Sequence, residues 1–215
     1  FNVSGDGAAE WLRGLITGGL PKVGRMNLAY FADSRGRILT EMSVMRHGED
    51  HFTLITAATA QWHDFEILRN ALIDGITLTD HTTEYSTLIV CGPDSRALFT
   101  TLGTDADLNA PWLSHQKATV AGMECALARV SFAGELGWEI HAPVAHVAAL
   151  YKAVTDAGAK PFGMWALNSL RIEKGYRAWK GDLSTDYTLF EGGLDRFVKL
   201  DKLQDFTGKA ALQAE

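Results

Sequence analysis

The sequence predicts an α+β fold made of two duplicated lobes, each a β-sheet covered by helices on one face. The first reason is the order strand, helix, three strands, helix and strand, which hydrophobic periodicity indicates for residues 1–80. The second reason is that this order begins again further along, where Val90 and Gly92 repeat Val3 and Gly5 at an offset of 87 residues. The offset is longer than a solenoid repeat, so two lobes are expected.

The first lobe begins with residues 1–3, which end a predicted strand, and continues with a helix over 8–16, where apolar residues recur at helical spacing. Residues 27–32 and 38–45 are two extended runs, and the polar, glycine-containing turn 33–36 between them is typical of a hairpin. The same signals predict a strand over 52–57, a helix over 60–73 and a strand over 76–79. The apolar stripe of that helix comprises Trp62, Phe65, Leu68, Leu72 and Ile73.

The second lobe is predicted from the same patterns. Its elements are a strand over 88–91, a helix around 95–102, strands near 117–120, 125–132 and 138–141, and a helix over 144–157. Residues 163–175 are apolar on nearly all sides and predict a buried helix. The stretch 176–193 has little periodicity, as functional or disordered loops do. We therefore expect lobes at 1–80 and 81–160, followed by a segment, 161–215, that closes the functional region.

Composition excludes several classes of protein. The chain has 20 basic and 26 acidic residues, which give a net charge of -6. This is the wrong sign for a protein whose main role is to bind nucleic acid or an anionic membrane. The longest stretch without Asp, Glu, Lys or Arg, His51 to His63, is shorter than the roughly 18 residues that a membrane span requires. Two cysteines exclude a disulfide framework and favour a reducing compartment.

Neither terminus has the features of a complete protein. Phe1 is not an initiator methionine, no signal peptide follows it, and it already belongs to a predicted strand. Residues 209–215 predict a helix that stops in mid-course. We expect the chain to be a piece of a longer polypeptide.

Four sequence motifs of enzymes are incomplete or missing in this chain. Residues 5–10, GDGAAE, resemble a dinucleotide fingerprint, but Glu10 replaces its third glycine and a hairpin follows where a parallel crossover is needed. His47 and His51 flank a predicted turn, which lacks the helical face of a zinc motif. No phosphate-binding loop or nucleophile elbow is present, so these motifs favour neither a nucleotide enzyme nor a serine hydrolase.

Glu41 lies in a predicted strand that has no clearly solvated face. Alternation places Glu41 with Leu39 and Ser43 on one face, and Ile38 and Met42 on the other. A carboxyl group on a half-apolar face finds a partner or has its pKa raised by desolvation, and it can then hold a proton near neutral pH. A surface or salt-bridged glutamate and a catalytic glutamate both fit this pattern.

Glu139 lies in the segment 134–141, GELGWEIH. Gly137, Glu139 and His141 share one face of the predicted strand, opposite Trp138. A strand glycine marks close approach by a ligand or another backbone, so a planar ligand could lie over Gly137 while the Glu139 carboxylate accepts hydrogen bonds from its polar edge. A half-exposed strand with a solvated glutamate fits equally well.

Arg171 interrupts the apolar helix predicted over 163–175. A buried guanidinium needs a partner, and Glu139 and Glu191 are the candidates. Arg171 also begins a series of cations at every third residue, which would hold carboxylates or form a solvated face. The others in the series are Lys174, Arg177 and Lys180.

Three long segments resemble a known family. They are SFAGELGWEIHAP at 131–143, ALNSLRIEKGYRAWKGDLSTDYTLFEGGL at 166–194 and FVKLDKLQDFTGKAAL at 197–212. These segments resemble the folate-binding fold of the glycine-cleavage aminomethyltransferase. The resemblance is closer to relatives fused behind a flavin domain, the dimethylglycine and sarcosine dehydrogenases and oxidases. It implies a three-lobed ring that binds tetrahydrofolate, a β-rich domain after Glu215 and a flavin domain before Phe1.

The resemblance also implies roles for individual residues. Glu41 stands where the family has an aspartate that orients or deprotonates the folate nitrogen, and Glu139 matches the glutamate that hydrogen-bonds the pterin. Phe132 replaces a family tyrosine, and Leu167 replaces an arginine of the aminomethyltransferase proper. Glu41 is therefore the predicted catalytic residue, and no metal ligand is predicted. The predicted folate-binding residues are Glu139, Phe132, Gly137, Tyr30, Ser43 and Arg171.

The implied function is acceptance of a one-carbon unit by tetrahydrofolate from an amine-derived iminium, in a dimethylglycine or sarcosine type of FAD-dependent demethylase. FAD would lie in a flavin domain in cis, outside this chain, and the one-carbon donor would be a small amine. Such a protein is expected in the cytoplasm, or in the mitochondrial matrix of a eukaryote. The alternatives are a non-catalytic docking or regulatory module for a dehydrogenase and a flavin-independent, tetrahydrofolate-dependent demethylase.

Overall fold

The computed structural model describes residues 1–215, which divide into two structural units. Unit 1 contains Phe1–Asp80 and Arg177–Glu215, and unit 2 contains His81–Tyr176. Each unit is built on one sheet with a hydrophobic core against it. None of the helices has the length and apolar character needed to cross a membrane.

Unit 1 folds around a five-stranded sheet in the order β2-β3-β4-β1-β5, in which every pair is antiparallel. The elements that form the unit up to Asp80 are β1 (Asn2–Ser4), α1 (Ala8–Leu15), β2 (Met26–Ala32), β3 (Ile38–Gly48), β4 (His51–Ile55), α2 (Gln61–Asn70) and β5 (Thr77–Thr79). They follow the predicted order of strand, helix, three strands, helix and strand.

Unit 2 has a four-stranded antiparallel sheet in the order β6-β9-β8-β7. Its elements are β6 (Tyr85–Cys91), α3 (Ser95–Leu102), β7 (His115–Val120), β8 (Met123–Ala128), β9 (Gly137–Pro143), α4 (Val144–Asp156) and α5 (Met164–Glu173). Strand β8 ends at Ala128, four residues before the predicted end, and a loop without regular structure continues to β9.

The predicted duplication is confirmed by the strand orders. In each unit the first strand pairs with the last of the three strands that follow the helix, so β1-β4-β3-β2 corresponds to β6-β9-β8-β7. The turn after the first strand is also repeated, since Gly5 and Gly92 have φ angles of 124° and 123°. Each of these glycines accepts a backbone hydrogen bond from the residue three positions later, at 3.0 and 3.1 Å. The units differ in one strand, because β5 has no counterpart in unit 2.

The sheet of unit 1 is covered on both faces. Helices α1 and α2 bury Leu12 and Leu68 against one face, as the sequence predicts. The other face is covered by the tail, residues Arg177–Glu215, which includes α6 (Lys209–Ala214). The tail buries its apolar side chains against Tyr30 and Ile38 of the sheet. Those side chains are Leu183, Leu189, Leu194, Phe206 and Leu212.

The tail also fixes the end of α1. This helix ends at Leu15, one residue before the predicted end. The Nζ atom of Lys202 donates hydrogen bonds of 2.6 Å to the carbonyl groups of Arg13 and Ile16. A cation is favourable at this end of a helix because unpaired carbonyl groups concentrate there. The termination of α1 therefore depends on residues almost 190 positions away in the sequence.

A β-bulge changes the predicted faces of β3. The pairing shifts between Phe31 and Ala32, so that these residues face Thr40 and Ile38 and leave Leu39 without a partner. Leu39 packs against the core beneath α1 and α2, whereas Ile38 lies in the cluster formed with the tail. The expectation that Leu39 shares a face with Glu41 is therefore wrong, because an extra residue in a strand reverses alternation beyond it.

The predicted apolar stripe of α2 is correct at Phe65 and Leu68, which pack in the core, and wrong at its other three residues. On α2, Trp62 is 78% exposed, because Leu68 and the hydrogen-bonded Asp64 occupy the face that meets the sheet. Leu72 and Ile73 lie beyond the end of this helix.

The predicted burial of α5 is also wrong. Trp165 is 89% exposed and Met164 76% exposed, and only Leu167 and Arg171 are buried. Those two residues stand four positions apart and define a single contact stripe, so an apolar composition on all sides does not by itself bury a helix.

The turn after β1 yields a stability prediction. A Cβ atom at Gly5 would overlap the carbonyl oxygen of Gly75, whereas Gly7, also at positive φ, has no atom within 4 Å of that position. We expect Gly7→Ala to cost about 1 kcal/mol from backbone strain alone. Gly5→Ala should cost at least about 2 kcal/mol more, because backbone atoms must move. Urea denaturation of both variants measures the difference, and equal losses would contradict the crowded turn.

Candidate functional site

Unit 1 brings together three of the predicted site residues on one face of its sheet. Tyr30 stands directly opposite Glu41, and Ser43 pairs with Leu28 two positions along. Tyr30 is only 2% exposed and packs on Phe197 of the tail, with ring centroids 5.0 Å apart. The tail thus covers the face on which the Glu41 carboxyl group lies. Tyr30, Glu41 and Ser43 are named the Glu41 site below.

The electrostatics of the Glu41 site follow from its burial. Desolvation raises the pKa of Glu41, and the nearby charge of Asp64 acts in the same direction. Hydrogen bonds from the Tyr30 hydroxyl and from the Trp179 backbone N–H stabilise the ionised form and oppose that rise without cancelling it. The pKa of Tyr30 is raised by its own burial and by the adjacent Glu41 charge. The carboxyl group therefore holds a proton to higher pH than an exposed glutamate does.

One oxygen of this carboxyl group is left without a partner. The Oε2 atom of Glu41 is buried and has no hydrogen bond. The indole Nε1 of Trp179, in the tail, is likewise buried and unpaired. Buried polar atoms usually have partners, and an unpaired one costs about 1–3 kcal/mol. Such an atom at a half-buried carboxyl group marks a place where a ligand donor would be stabilising.

Unit 2 carries a glutamate at the position equivalent to Glu41. Strands β3 and β8 occupy the same place in the two sheets, and the pairing register aligns Glu41 with Glu124. Glu124 is exposed, and the residue opposite it is Thr119, whereas Glu41 faces Tyr30. The duplication alone therefore does not make this position a site, and Glu124 is a matched control for Glu41.

The second candidate carboxylate, Glu139, lies on β9 between Ile89 and Ala128 of the neighbouring strands. Its side chain is 19% exposed, and its Oε2 atom lies 3.1 Å from Nε2 of His141, whose side chain is 13% exposed. The two groups are within ion-pair distance, but the ring is not aligned for a hydrogen bond, so Nε2 has no hydrogen-bond partner. We name Glu139 and His141 the Glu139 site.

His141 is held in place by a second contact. Its Nδ1 atom lies 2.8 Å from the hydroxyl oxygen of Thr87 on β6. A hydrogen bond at one ring nitrogen fixes the orientation of the imidazole and directs the other nitrogen. Neither His141 nor Thr87 is among the residues predicted for the site. The spacing of His141 two positions after Glu139 on one strand face is the signal that identifies it.

Gly137 has a structural explanation. A Cβ atom at this position would lie 2.8 Å from the carbonyl oxygen of Val90 and from the Cβ of Cys91, and 3.0 Å from the Cβ of Ser131. The close approach expected at this glycine is therefore made by protein atoms. The volume above its Cα that we expected a planar ligand to occupy is filled by Cys91 and Ser131.

Phe132 and Arg171 lie near the end of unit 2. The ring of Phe132 stacks on Tyr176, with centroids 6.3 Å apart and planes at 16°. Arg171 donates to Oδ1 of Asn168 at 2.8 and 2.7 Å and to the carbonyl group of Tyr176 at 3.0 Å. The partner expected at Glu139 is thus wrong, because Glu139 lies against His141. The guanidinium group fixes the turn that presents Tyr176 to Phe132.

A cavity of about 390 Å³ adjoins this turn. Its lining combines aromatic, cationic and backbone groups of unit 2, among them Trp112, Arg129, Ser131, Gly137, Lys174 and Tyr176. Gly137 contributes backbone to this wall, so the predicted residue lies at the cavity even though its Cα face is filled.

The family model described as the GCVT N-terminal domain matches residues 1–202. Because this match covers most of the chain, the protein belongs to the GCVT aminomethyltransferase family. The resemblance predicted from the three sequence segments is therefore confirmed.

The chain is similar in sequence to dimethylglycine dehydrogenases and to aminomethyltransferases. Mitochondrial dimethylglycine dehydrogenase of Rattus norvegicus is 34% identical over 223 residues, which cover 99% of this chain and 26% of that protein. Aminomethyltransferase of Streptomyces coelicolor is 32% identical over 224 residues, which cover 99% of this chain and 59% of that protein. The crystal structure of glycine cleavage system aminomethyltransferase T from Bartonella henselae shares the fold, with a TM-score of 0.88 over 99% of this chain and 59% of that one, at 24% identity.

The chain thus spans about a quarter of the dehydrogenase and well over half of the aminomethyltransferase.

The raised pKa of Glu41 predicts a pH-dependent effect on stability. The folded state disfavours the ionised carboxylate, so the wild-type protein loses stability as pH rises above the ordinary glutamate pKa of 4.5 and through the folded value. Glu41→Gln cannot ionise and avoids this loss. We expect the free energy of unfolding of Glu41→Gln, relative to wild type, to increase between pH 4.5 and pH 8.

Urea denaturation at both pH values measures this difference, and exposed Glu124→Gln is the control. A relative stability of Glu41→Gln that is the same at both pH values would contradict the burial argument.

Proposed function

We propose that this chain binds tetrahydrofolate and transfers to it a one-carbon unit taken from an amine or iminium. The observation that carries the proposal is the half-buried carboxyl group of Glu41, whose buried Oε2 atom has no partner, in a chain of the GCVT family. A ligand N–H group would satisfy this acceptor and remove the cost of leaving it unpaired. The name aminomethyltransferase, carried by relatives such as that of Streptomyces coelicolor, supports the reaction class.

The side chains of both sites suit a reduced pterin. The polar edge of a pterin presents an amino group and ring N–H groups as donors, and an ionised carboxylate is purely an acceptor. Glu139 and Glu41 are such acceptors, and each is half-buried, where hydrogen bonds are stronger than in water. A bound tetrahydrofolate supplies a ring nitrogen that takes up the one-carbon unit.

Glu41 is assigned the proton-transfer role. Its carboxyl group accepts a proton at Oε2 and retains it because burial raises its pKa. The Tyr30 hydroxyl and the Trp179 backbone N–H donate to the carboxyl group and fix its orientation. In the ionised form the same carboxylate would stabilise a positively charged iminium donor by electrostatics.

Glu139 is assigned the recognition role. Its carboxylate accepts hydrogen bonds from the ligand, and His141, held by Thr87, limits the orientations that it can adopt. Charge-assisted hydrogen bonds of this kind are roughly twice as strong as neutral ones.

Phe132 offers an apolar ring, stacked on Tyr176, where the resemblance implies a tyrosine. Ser43 and Arg171 complete the proposed folate-binding set, with Arg171 acting through the turn at Tyr176.

The whole protein is proposed to be a demethylase of the dimethylglycine or sarcosine type, with FAD in a separate domain in cis. This proposal rests on the 34% identity to mitochondrial dimethylglycine dehydrogenase, of which this chain matches 26%. The same similarity supports a mitochondrial location if the source is a eukaryote. A small secondary or tertiary amine would then provide the one-carbon unit.

One observation favours a second candidate function, a docking or regulatory module without catalysis. Phe132 lacks the hydroxyl group of the tyrosine that the resemblance implies, so this position offers no hydrogen-bonding group to a ligand. A folded protein that binds no tetrahydrofolate would support this alternative.

Binding is tested by calorimetric titration of the protein with tetrahydrofolate. We expect the dissociation constant to rise about 10- to 100-fold in Glu139→Ala, the effect of losing hydrogen bonds to a charged group. Glu124→Ala, on the neighbouring strand, is exposed and should bind as the wild type does. Equal affinity in wild type and Glu139→Ala would remove the recognition role from Glu139.

Transfer is tested with Glu41→Gln, which keeps the shape of the side chain but cannot accept the proton. We expect formation of methylenetetrahydrofolate to fall about 100- to 10,000-fold, the usual contribution of a general base. Tetrahydrofolate affinity should fall by a much smaller factor, because the amide keeps one acceptor oxygen for a ligand N–H group. The control is Glu124→Gln, at the equivalent position of unit 2, which should retain full activity. Full activity in Glu41→Gln would end the proton-transfer assignment.

A further inference from the structure

The outer edge of β6 in unit 2 lacks the strand that covers the equivalent edge in unit 1. In unit 1, β1 lies between β4 and β5, so both of its edges are hydrogen-bonded. In unit 2, β6 pairs with β9 alone and forms the end of the sheet. An open edge of seven residues presents unpaired backbone N–H and C=O groups, which proteins usually cover or protect.

The duplication identifies which residues of β6 lie at this open edge. Val3 pairs with Phe52 in unit 1, as Val90 pairs with Trp138 in unit 2. The β1 residues paired with β5, Asn2 to Ser4, therefore correspond to Ile89, Val90 and Cys91. In unit 1 their partners are Thr79, Leu78 and Thr77, in a polar, apolar, polar pattern.

The surroundings of the glycines that follow β1 and β6 also show that β6 lacks a neighbouring strand on its outer edge. At Gly5 a Cβ atom would overlap the carbonyl oxygen of Gly75 and lie 3.2 Å from the Cα of Ile76, in the segment that leads into β5. At Gly92, which has the same φ, no atom lies within 4 Å of that position. The space beside Gly5 is filled in unit 1 by Gly75 and Ile76, which lead into β5. The equivalent space beside Gly92 is open in unit 2.

A groove of about 550 Å³ occupies this place in unit 2. It is lined by the edge residues Ile89, Val90 and Cys91 and by the apolar residues Tyr151, Phe162 and Met164, among others. The last three side chains are 50%, 43% and 76% exposed, an unusual exposure for large apolar groups that share one groove. A groove of this size is typical of ligand-binding sites rather than of packing defects.

The chain of unit 2 does not fill this groove itself. The segment 158–163 follows α4, as the approach to β5 follows α2 in unit 1, but it lines the groove and forms no pairs with β6. Pro161 within it lacks an N–H group and cannot extend a sheet ladder.

We propose that the groove along β6 binds an extended polypeptide segment of a partner, which adds to the sheet as an antiparallel strand. This interaction is separate from folate binding and one-carbon transfer. The duplication supplies the chemistry of the occupant, a three-residue strand of about 10 Å in which an apolar side chain lies between two polar ones. Main-chain hydrogen bonds to Ile89 and Cys91, whose N–H and C=O groups face away from β9, give the affinity. The apolar side chain enters the groove as Leu78 enters the core of unit 1.

The probe for this proposal is a synthetic peptide with the sequence of residues 73–80, IDGITLTD, added to the whole protein. Binding is measured by calorimetry, and the contact region by hydrogen exchange with mass spectrometry. The control peptide carries proline at the position of Thr79, because the N–H of that residue faces Asn2 of β1 and proline lacks this donor. We expect a dissociation constant of about 10–1,000 μM for the native peptide, within reach of a short strand. Protection from exchange should be confined to β6 and absent with the proline peptide.

Two protein variants locate the binding. Thr155→Trp places a large ring into the groove that Thr155 lines and should weaken peptide binding at least about tenfold. Lys152→Trp, on the same helix but with a side chain that is 75% exposed and paired with Asp156, should bind as the wild type does.

Absence of binding at about 1 mM peptide overturns the proposal, as does protection outside β6 or equal binding of the proline peptide. A protein that is dimeric in sedimentation and already protected at β6 without peptide would show that a second copy occupies this edge, and this also overturns it.

Discussion

The tail Arg177–Glu215 covers the second face of the unit 1 sheet, and the chemistry of unit 1 depends on this packing. Leu183, Leu189 and Phe206 exclude water from the face that carries Tyr30 and Glu41. Without this layer the carboxyl group would resemble that of Glu124, which holds the equivalent strand position in unit 2 and is exposed. One duplicated position thus becomes a perturbed acid in one unit and a surface residue in the other, because only one of them is covered.

Unit 2 has its half-buried carboxylate on a different strand. Glu139 lies on β9, where the pairing register puts Thr53 at the equivalent position of unit 1. The Thr53 hydroxyl is bound to His47 and Asn2, so that position is already satisfied by protein groups. Glu139 has only His141 beside it, which leaves acceptor capacity for a ligand. The two lobes therefore share a backbone plan and differ in which strand carries the polar chemistry.

Much of the fold follows from local patterns, because the period of apolar residues defines nearly every helix and strand, and the repeated Val-x-Gly defines the duplication. The pairing of Tyr30 with Glu41 was also accessible, since both lie on the hairpin strands predicted around the turn 33–36.

The features that the sequence did not predict depend on contacts between residues far apart in the chain. The bulge at Leu39, the exposure of Trp165 and the filling of the volume above Gly137 are set by partners that no local window contains. The tail itself has too little periodicity to indicate which face it covers.

The discontinuity of unit 1 has a consequence for synthesis on the ribosome. Unit 2 is continuous, and its last residue, Tyr176, is translated before any of the tail that completes unit 1. Residues 1–80 therefore have one uncovered sheet face while nearly a hundred further residues are synthesised. Contacts across such a separation form slowly because a long loop must close first. The environment that perturbs Glu41 is consequently completed only after all of unit 2 has been translated.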